Sequence, residues 1–375
     1  MNDTPAAAPP VAAAPAAAPP AVVAAARPLR ASPGYQALVA ACGVWAAVMV
    51  ALALHLADPW WAGISAWVIA QAGNDRHALL AKAGMRFLGT ICGCLAGYWL
   101  GALLVGPGLF PVALALSLVA WIGAWQRFSS AYAYAWLVFS LTATMAVLAA
   151  VTEPASLAPF VLNRWFEITS GIVTYSVVAI ILNPAAQHGG PLHAPAAAPA
   201  GPAAGSAASA QWMAVEHTAL IAALIPPLLL VLWLALDLPS IMQVFISTLV
   251  LVDRDIGQMR TRSRQRLIGC LVGGAGGILL AIVLPDSLFL WSLSLFTGLF
   301  LLAFVHQGNP KTAYYGTQGG LAFLMGLVTG AGPPASILPV VERVVGITIG
   351  VAVLVLVAAL IRPHMARRLR AAAPA

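Results

Sequence analysis

The sequence predicts an all-α, polytopic membrane protein made of two related halves. Hydrophobic residues make up 61% of the 375 residues and charged residues only 8%, with a mean hydropathy of +0.92, whereas soluble domains carry about 25% charged residues. Apolar runs of about 20 residues recur along the chain, and a helix of that length crosses a hydrocarbon core of about 30 Å. So few charges cannot solvate a water-exposed surface of this size, which excludes a soluble globular enzyme.

Two segments without large apolar residues divide the chain. Residues 1–26 and 185–210 consist almost wholly of Ala, Pro, Gly and Ser. Their frequent prolines prevent a continuous helix, so we expect both to be disordered. The predicted domains, in order, are a disordered cytoplasmic tail, a first membrane repeat, a disordered linker, a second membrane repeat and a basic cytoplasmic tail, at residues 1–34, 35–184, 185–212, 213–363 and 364–375.

Six apolar spans are predicted in each half when Pro, Gly and charged residues are taken as helix boundaries. The first half has spans at 36–56, 60–73, 86–105, 109–126, 131–151 and 162–182. The second half has spans at 217–236, 240–252, 266–284, 288–306, 313–329 and 341–361. The second span of each half is short for a full crossing of the membrane.

The positions of the basic residues predict the orientation of the chain, because cytoplasmic loops are enriched in Lys and Arg. With the amino terminus inside, every Lys and Arg lies at a cytoplasmic end except Arg164 and Arg343. We therefore expect twelve crossings with both termini in the cytoplasm. This placement also accounts for the net charge of +7, so the sequence gives no reason to expect a nucleic-acid partner.

The two halves align over a long stretch. A shift of 180 positions pairs Lys82 with Arg262 and Arg86 with Arg266, and a shift of 179 pairs Arg164 with Arg343. Since six crossings return the chain to its starting side, we expect parallel repeats related by an axis along the membrane normal, a recurrent plan among transporters. Duplication within a purely structural bundle is the alternative.

The third helix of each half carries glycines at every fourth position, which places them on one helix face where another backbone can approach closely. They pack either within one half or at the interface between the halves, and in both cases we expect the third helices to be central. The residues are Gly89, Gly93 and Gly97, then Gly269, Gly273 and Gly277.

No cofactor or metal is predicted. Cys92 and Cys94 are two positions apart on a helix and point to different faces, so packing is the simpler role for the cysteines. The glycines from Gly269 to Gly277 lack the Gly-Lys-Ser/Thr ending of a phosphate-binding loop, and no metalloprotease string or nucleophilic triad spacing is present.

Short strings at the third and sixth helices resemble a known family. RFLGTICG, from Arg86 to Gly93, follows a basic loop and recurs as RLIGCLVG from Arg266 to Gly273. The sixth helices open similarly, with Arg164 seven residues before Gly171 and Arg343 seven before Gly350. These strings resemble the fusaric acid resistance and aromatic acid exporter superfamily of bacterial inner-membrane proteins.

This resemblance covers residues 36–184 and 215–363. It implies efflux of aromatic or related organic acids driven by the proton gradient, often with a periplasmic membrane-fusion partner. A homo-oligomer is a further expectation. The larger members place a sizeable cytoplasmic domain between the halves, and this chain has only the Ala/Pro/Gly linker there, so it is similar to a compact branch.

Substrate-binding candidates lie at the predicted cytoplasmic starts of the third helices. A helix amino terminus presents unpaired N–H groups and a partial positive charge, and basic side chains there would add to the attraction for an anion. The acids of the preceding loops would pair with the arginines when no substrate is bound. The alternative is that the basic residues only fix the topology. The residues are Arg86, Arg266, Lys82, Arg262, Asp75 and Asp255.

Proton-coupling candidates lie at the starts of the sixth helices. Glu167 is about one turn inside a membrane helix, where an acid is costly and needs a partner or a water-filled cavity. Local neutralisation by Arg164 is the alternative. Glu342 and Arg343 are the related residues in the second half.

The function that these features and the resemblance favour is proton-driven export of small organic acids, aromatic carboxylic acids among them, or of related toxic compounds. Two alternatives remain open: a membrane-embedded enzyme acting on a lipid-linked substrate, which would need a convergent polar cluster, and a channel or scaffold protein.

Overall fold

The computed structural model describes residues 32–71, 76–183, 206–238, 241–283, 287–328 and 338–372. Within these ranges the chain forms twelve α-helices and a one-turn 3-10 helix, with no β-strand. The helices of the first half are α1 (Pro33–Ala53), α2 (Pro59–Ala70), α3 (Arg76–Leu104), α4 (Leu109–Ser129), α5 (Ala133–Thr152) and α6 (Leu157–Leu182). Those of the second half are α7 (Ser206–Leu236), α8 (Ile241–Leu251), α9 (Ile256–Val283), α10 (Leu288–Gly308), α11 (Ala313–Leu327) and α12 (Leu338–Ala372).

Nine helices of the described part of the chain are long and apolar enough to cross a membrane, which confirms the predicted all-α, polytopic membrane class. The other three, α2, α8 and α11, have 12, 11 and 15 residues. At 1.5 Å per residue they are about 17 to 23 Å long, shorter than the hydrocarbon core. In α11 every residue from Gly316 to Leu327 is buried, so this helix is covered by protein on all sides.

Each predicted span corresponds to one helix, but α3 and α9 begin well before the predicted starts. Arg86 and Arg266 each lie ten residues, or about 15 Å, inside their helices. No proline interrupts residues 76–85 or 256–265, so the helix continues beyond the apolar segment. The expectation that Arg86 and Arg266 stand at helix amino termini is therefore wrong.

Residues 1–31 of the predicted tail (1–34) and residues 185–205 of the predicted linker (185–212) lie outside the described residues. The linker was expected to extend to residue 212, whereas α7 begins at Ser206. At the other end, α12 continues through Pro363 to Ala372 and includes most of the predicted basic tail.

The same pairs of helices pack together in both halves. α3 packs on α5 as α9 packs on α11, and α2 packs on α6 as α8 packs on α12. Contacts between the halves also come in matching pairs, because α4 packs on α7 where α10 packs on α1, and α5 meets α8 where α11 meets α2. Two related six-helix units would produce this arrangement, so the packing supports the repeat that we infer from the sequence.

The glycines of the third helices pack within their own halves. A Cβ atom added to Gly93 would stand 2.7 Å from the Phe139 carbonyl oxygen of α5, and one added to Gly269 would stand 2.7 Å from the Tyr315 carbonyl oxygen of α11. The other face of α3 is exposed, as at Trp99 (65%) and Leu103 (73%). Val272 and Leu279 of α9 are exposed in the same way. The third helices thus pack on α5 and α11 through their glycine faces and expose their opposite faces, so they are peripheral and not central as expected.

Candidate functional site

Four arginines are buried among the helices, with exposed fractions of 8% for Arg86, 4% for Arg164, 2% for Arg266 and 5% for Arg343. Because a charged side chain inside a membrane helix is costly, it is normally paired or placed for function. The partners of these four side chains therefore define the site.

Arg86 is held by neutral hydroxyl groups. Its Nη1 donates to Tyr134 Oη at 2.9 Å and its Nη2 to Ser65 Oγ at 3.1 Å. The Lys82 ammonium lies 5.7 Å from the centre of the Tyr134 ring, in the geometry of a cation–π contact. Asp75, its predicted acidic partner, lies outside the described residues. The sequence reasoning did not identify the roles of Ser65 and Tyr134, since these residues come from α2 and α5.

The expected pairing of Asp255 with Arg266 is not found in the structure. Asp255 is exposed, and its Oδ1 accepts a hydrogen bond from the Gly257 N–H at 2.8 Å, at the start of α9. Arg262 pairs instead with Asp253 at 3.0 Å. Arg266 lies about three turns further along the helix, too far from the start of α9 for contact with Asp255.

Arg164 belongs to an ion cluster in the first half. Its Nη1 lies 2.9 Å from Glu167 Oε2, and its Nη2 lies 3.7 Å from Asp58 Oδ2. Glu167 is fully buried and its Oε1 accepts a hydrogen bond from the Asp58 N–H at 2.8 Å. The guanidinium also lies 4.1 Å from the centre of the Trp61 ring. The two proton-coupling candidates thus form an ion pair that joins α6 to the start of α2.

Arg343 and Arg266 form a different cluster in the second half. Arg343 Nη1 lies 3.3 Å from Met325 Sδ, a weak acceptor. Arg343 also interacts electrostatically with Cys270, and it lies close enough to Arg266 for their positive charges to repel. Arg266 makes no hydrogen bond to any described residue, and no described carboxylate lies within ion-pair distance of either arginine. Glu342, the residue before Arg343, is half-buried.

The difference between the clusters follows from the alignment of the halves. The 180-position shift that pairs Arg86 with Arg266 places Asp58 opposite Leu238 and Ser65 opposite Phe245. The 179-position shift that pairs Arg164 with Arg343 places Glu167 opposite Gly346. The 180-position shift also aligns Tyr134 with Tyr314, so the second half repeats the arginines and this tyrosine but has no counterpart of Ser65, Asp58 or Glu167 at the aligned positions.

The described residues contain no group of three or more His, Cys, Asp or Glu side chains placed to hold a metal ion. The four cysteines are free thiols. Of these, Cys270 is fully buried and its Sγ lies 3.6 Å from the Gln318 carbonyl oxygen.

The fold and the site together define a multi-pass helical membrane protein whose membrane-spanning helices bury basic side chains. Residues 35–209 match the model of the fusaric acid resistance protein family, and residues 221–358 match a second model described as fusaric acid resistance protein-like. The chain belongs to this fusaric acid resistance-like family, which confirms the resemblance seen in the sequence. The two matched segments correspond to the two halves.

Curated relatives are similar over part of the chain. The p-hydroxybenzoic acid efflux pump subunit AaeB of Enterobacter cloacae is 28% identical over 149 residues, which are 37% of this chain and 22% of the relative. The proteins of the same description from Escherichia fergusonii and Citrobacter koseri are 28% and 26% identical, over 36% and 38% of this chain. The chain therefore covers less than a quarter of the length of these relatives. No solved structure matches. The names of the family and of the relatives indicate a transporter rather than an enzyme.

Proposed function

We propose that this protein is an inner-membrane transporter that exports small aromatic carboxylic acids. The observation that carries the proposal is the burial of four arginines among membrane-spanning helices. Inside a membrane such side chains mark substrate or ion pathways more often than structure. The relatives are named as p-hydroxybenzoic acid efflux pump subunits, and an aromatic carboxylate is the kind of ligand that a buried guanidinium would stabilise.

Both parts of such a substrate, the carboxylate and the aromatic ring, fit the surroundings of the arginines. A guanidinium binds a carboxylate through charge-assisted hydrogen bonds, which are stronger than neutral ones. The benzene ring requires apolar surroundings, which Trp61 and Met325 offer next to Arg164 and Arg343. A site that combines one cation with an apolar wall selects an aromatic acid over a hydrophilic one.

Proton coupling through Glu167 is part of the proposal. The groups facing this carboxyl are Arg164, the Asp58 carboxylate and, next to Arg164, Cys94. Protonation of Glu167 would remove the charge that holds Arg164, so a proton entering the cluster would free a guanidinium for an anion. An inward proton gradient would drive export in this way, because each proton that reaches Glu167 makes Arg164 available to a substrate anion.

The word "subunit" in the names of the relatives supports a partner for the pump, and a periplasmic membrane-fusion protein would be that partner. Self-association into a homo-oligomer is a further possibility within this proposal, and the size of the complex extracted in mild detergent tests it.

The test is the accumulation of labelled 4-hydroxybenzoate in cells with and without the gene, each with and without a proton uncoupler. We expect the gene to lower accumulation and the uncoupler to remove the difference. Equal accumulation in all four conditions would contradict export, and a difference that survives the uncoupler would contradict proton coupling alone.

A further inference from the structure

The matching arginine pairs of the two halves have different partners. In the first half, Arg86 is hydrogen-bonded by Ser65 and Tyr134, and Arg164 is paired with Glu167. In the second half, Arg266 has no hydrogen-bond partner among the described residues, and the acceptors beside Arg343 are two sulfur atoms, the Met325 thioether and the Cys270 thiol. The first half thus provides oxygen acceptors for the terminal nitrogens of its buried guanidinium groups, whereas among the described residues the second half provides only weak sulfur acceptors.

Two guanidinium groups that are both at least nine-tenths buried and repel each other are costly, because burial weakens their solvation and no described carboxylate lies within ion-pair distance of either. The Nε atoms of all four buried arginines lack a hydrogen-bond partner, so the difference between the halves lies in the terminal nitrogens, for which Arg266 has no acceptor among the described residues. A carboxylate between the two groups would replace the repulsion by two attractions and would accept hydrogen bonds from both. A ligand gains the most binding free energy where it supplies the missing hydrogen-bond partner of a buried polar group.

We infer that the carboxylate of the exported acid binds in the second half, between Arg266 of α9 and Arg343 of α12. This assignment rests on the proposed function and goes beyond it by making the two halves unequal, with Glu167 acting in the first half as the protein's own counterpart of the substrate carboxylate.

The surroundings of the pair favour a ligand that is aromatic and carries a further polar group. The Met325 thioether beside Arg343 can contact the edge or face of a benzene ring. On α8, Gln243 packs against Gly346, one turn beyond Arg343, and the Gln243 side-chain oxygen is buried without a partner. A phenolic hydroxyl could donate a hydrogen bond to that oxygen, as the para-hydroxyl of a hydroxybenzoate would.

The site is enclosed in this structure, since both arginines are at most 5% exposed. A ligand can therefore reach them only when neighbouring helices separate. Such opening to one side of the membrane at a time is the general requirement of alternating access at a central site.

A carboxylate built into the protein tests the assignment. Met325→Glu places an acid where the thioether now lies 3.3 Å from Arg343 Nη1, and Met325→Gln is the uncharged variant of nearly the same size. The purified full chain is titrated with benzoate by calorimetry, with benzamide as the neutral probe. We expect M325E to bind benzoate at least about tenfold more weakly than M325Q. The two variants should bind benzamide with equal affinity.

Thermal unfolding of the two variants separates competition from damage. An internal ion pair with Arg343 should leave the midpoint of M325E at or above that of M325Q, although its benzoate binding is weaker. Ser65→Ala, in the first half, should change benzoate affinity by less than about threefold. Equal benzoate affinities of M325E and M325Q would overturn the assignment, as would a Ser65→Ala effect larger than that of Met325→Glu.

The binding experiments test the site assignment separately from the proposed export. If the gene lowers 4-hydroxybenzoate accumulation but M325E and M325Q bind benzoate equally, export stands and the site assignment falls. If M325Q binds benzoate and M325E does not, while accumulation is the same with and without the gene, the anion site stands and export falls.

Discussion

Arg164 and Arg343 occupy matching positions in α6 and α12, and one acid accounts for much of the difference between their surroundings. Glu167 lies one turn after Arg164 and neutralises it, whereas glycine stands at the aligned position after Arg343. The Glu167 carboxylate also accepts the Asp58 N–H, so it fixes the start of α2 as well as the charge of Arg164. A single acidic side chain thus decides whether the protein itself neutralises a buried arginine.

Replacing Glu167 by Gln should destabilise the protein by about 3 kcal/mol, because it leaves Arg164 with only the partly exposed Asp58 as an acidic partner. Thermal or denaturant unfolding in detergent measures the effect. The double variant Arg164→Gln/Glu167→Gln is the control and should lose less than the sum of the single variants, since no charge is then buried alone. Additive losses would show that the two side chains do not act as a pair.

The same Glu167→Gln variant tests coupling. If Glu167 carries the proton, 4-hydroxybenzoate export by E167Q should no longer respond to the external pH, although the protein still inserts in the membrane. Export that keeps the full pH response of the unmodified protein would leave Glu167 with a structural role only.

Tyr134→Phe should cost about 1 to 2 kcal/mol of stability, because it removes the hydroxyl that accepts from Arg86 and leaves a buried donor without a partner. Tyr132→Phe is the matched control, since Tyr132 is 66% exposed and should change stability by less than about 0.5 kcal/mol. A similar effect of both substitutions on the unfolding midpoint would contradict the role of the Tyr134 hydroxyl.

Among the elements, α3 and α9 show what hydropathy alone can predict. The sequence predicted all twelve helices in order, because the apolar segments and the prolines and glycines between them are local features. It did not predict that α3 and α9 begin ten residues before Arg86 and Arg266, because a polar segment without proline continues a helix without raising its hydropathy. As a result, arginines that were expected at helix amino termini are buried several turns inside.

The glycine spacing was read correctly as a close-packing surface, but spacing does not reveal the neighbour. Gly93→Ala should destabilise the protein by about 2 kcal/mol or more, since the new Cβ would stand 2.7 Å from the Phe139 carbonyl oxygen and push α3 from α5. Gly84→Ala, in the same helix, meets no atom within 4 Å and should be neutral or stabilising by up to about 1 kcal/mol. Unfolding midpoints that change equally would show that α3 does not rely on this contact.

For the whole molecule, matching contacts link α4 to α7 and α10 to α1, so each half is bound to the other through two equivalent surfaces. The repeat could be inferred from aligned residues, but the partners of the buried arginines could not. Ser65 and Tyr134 reach Arg86 across 21 and 48 positions of sequence, and only the packing of α2 and α5 on α3 brings them together. The inequality of the two halves became visible only when these partners were known.

The predicted orientation can be tested with two exposed positions. In a variant without the native cysteines, Ala155→Cys lies in the turn between α5 and α6, and Lys311→Cys lies between α10 and α11. The positive-inside pattern predicts that a membrane-impermeant maleimide labels A155C in intact cells and K311C only after permeabilisation. The reverse labelling would mean that both termini lie outside, and labelling of both in intact cells would contradict the odd number of crossings between them, which are α6 to α10.

The three short helices also bear on the electrical work of transport. α2, α8 and α11 are about 17 to 23 Å long, well below the hydrocarbon thickness at the rim of the molecule. If water reaches the ends of these three helices, the whole transmembrane voltage falls across their shorter length. A bound anion that moves only a short distance then crosses a large fraction of that voltage. An elementary charge that crosses the full field gains or loses about 2.3 kcal/mol per 100 mV. For an anion leaving a cell that is negative inside, the resting potential itself would then assist its release.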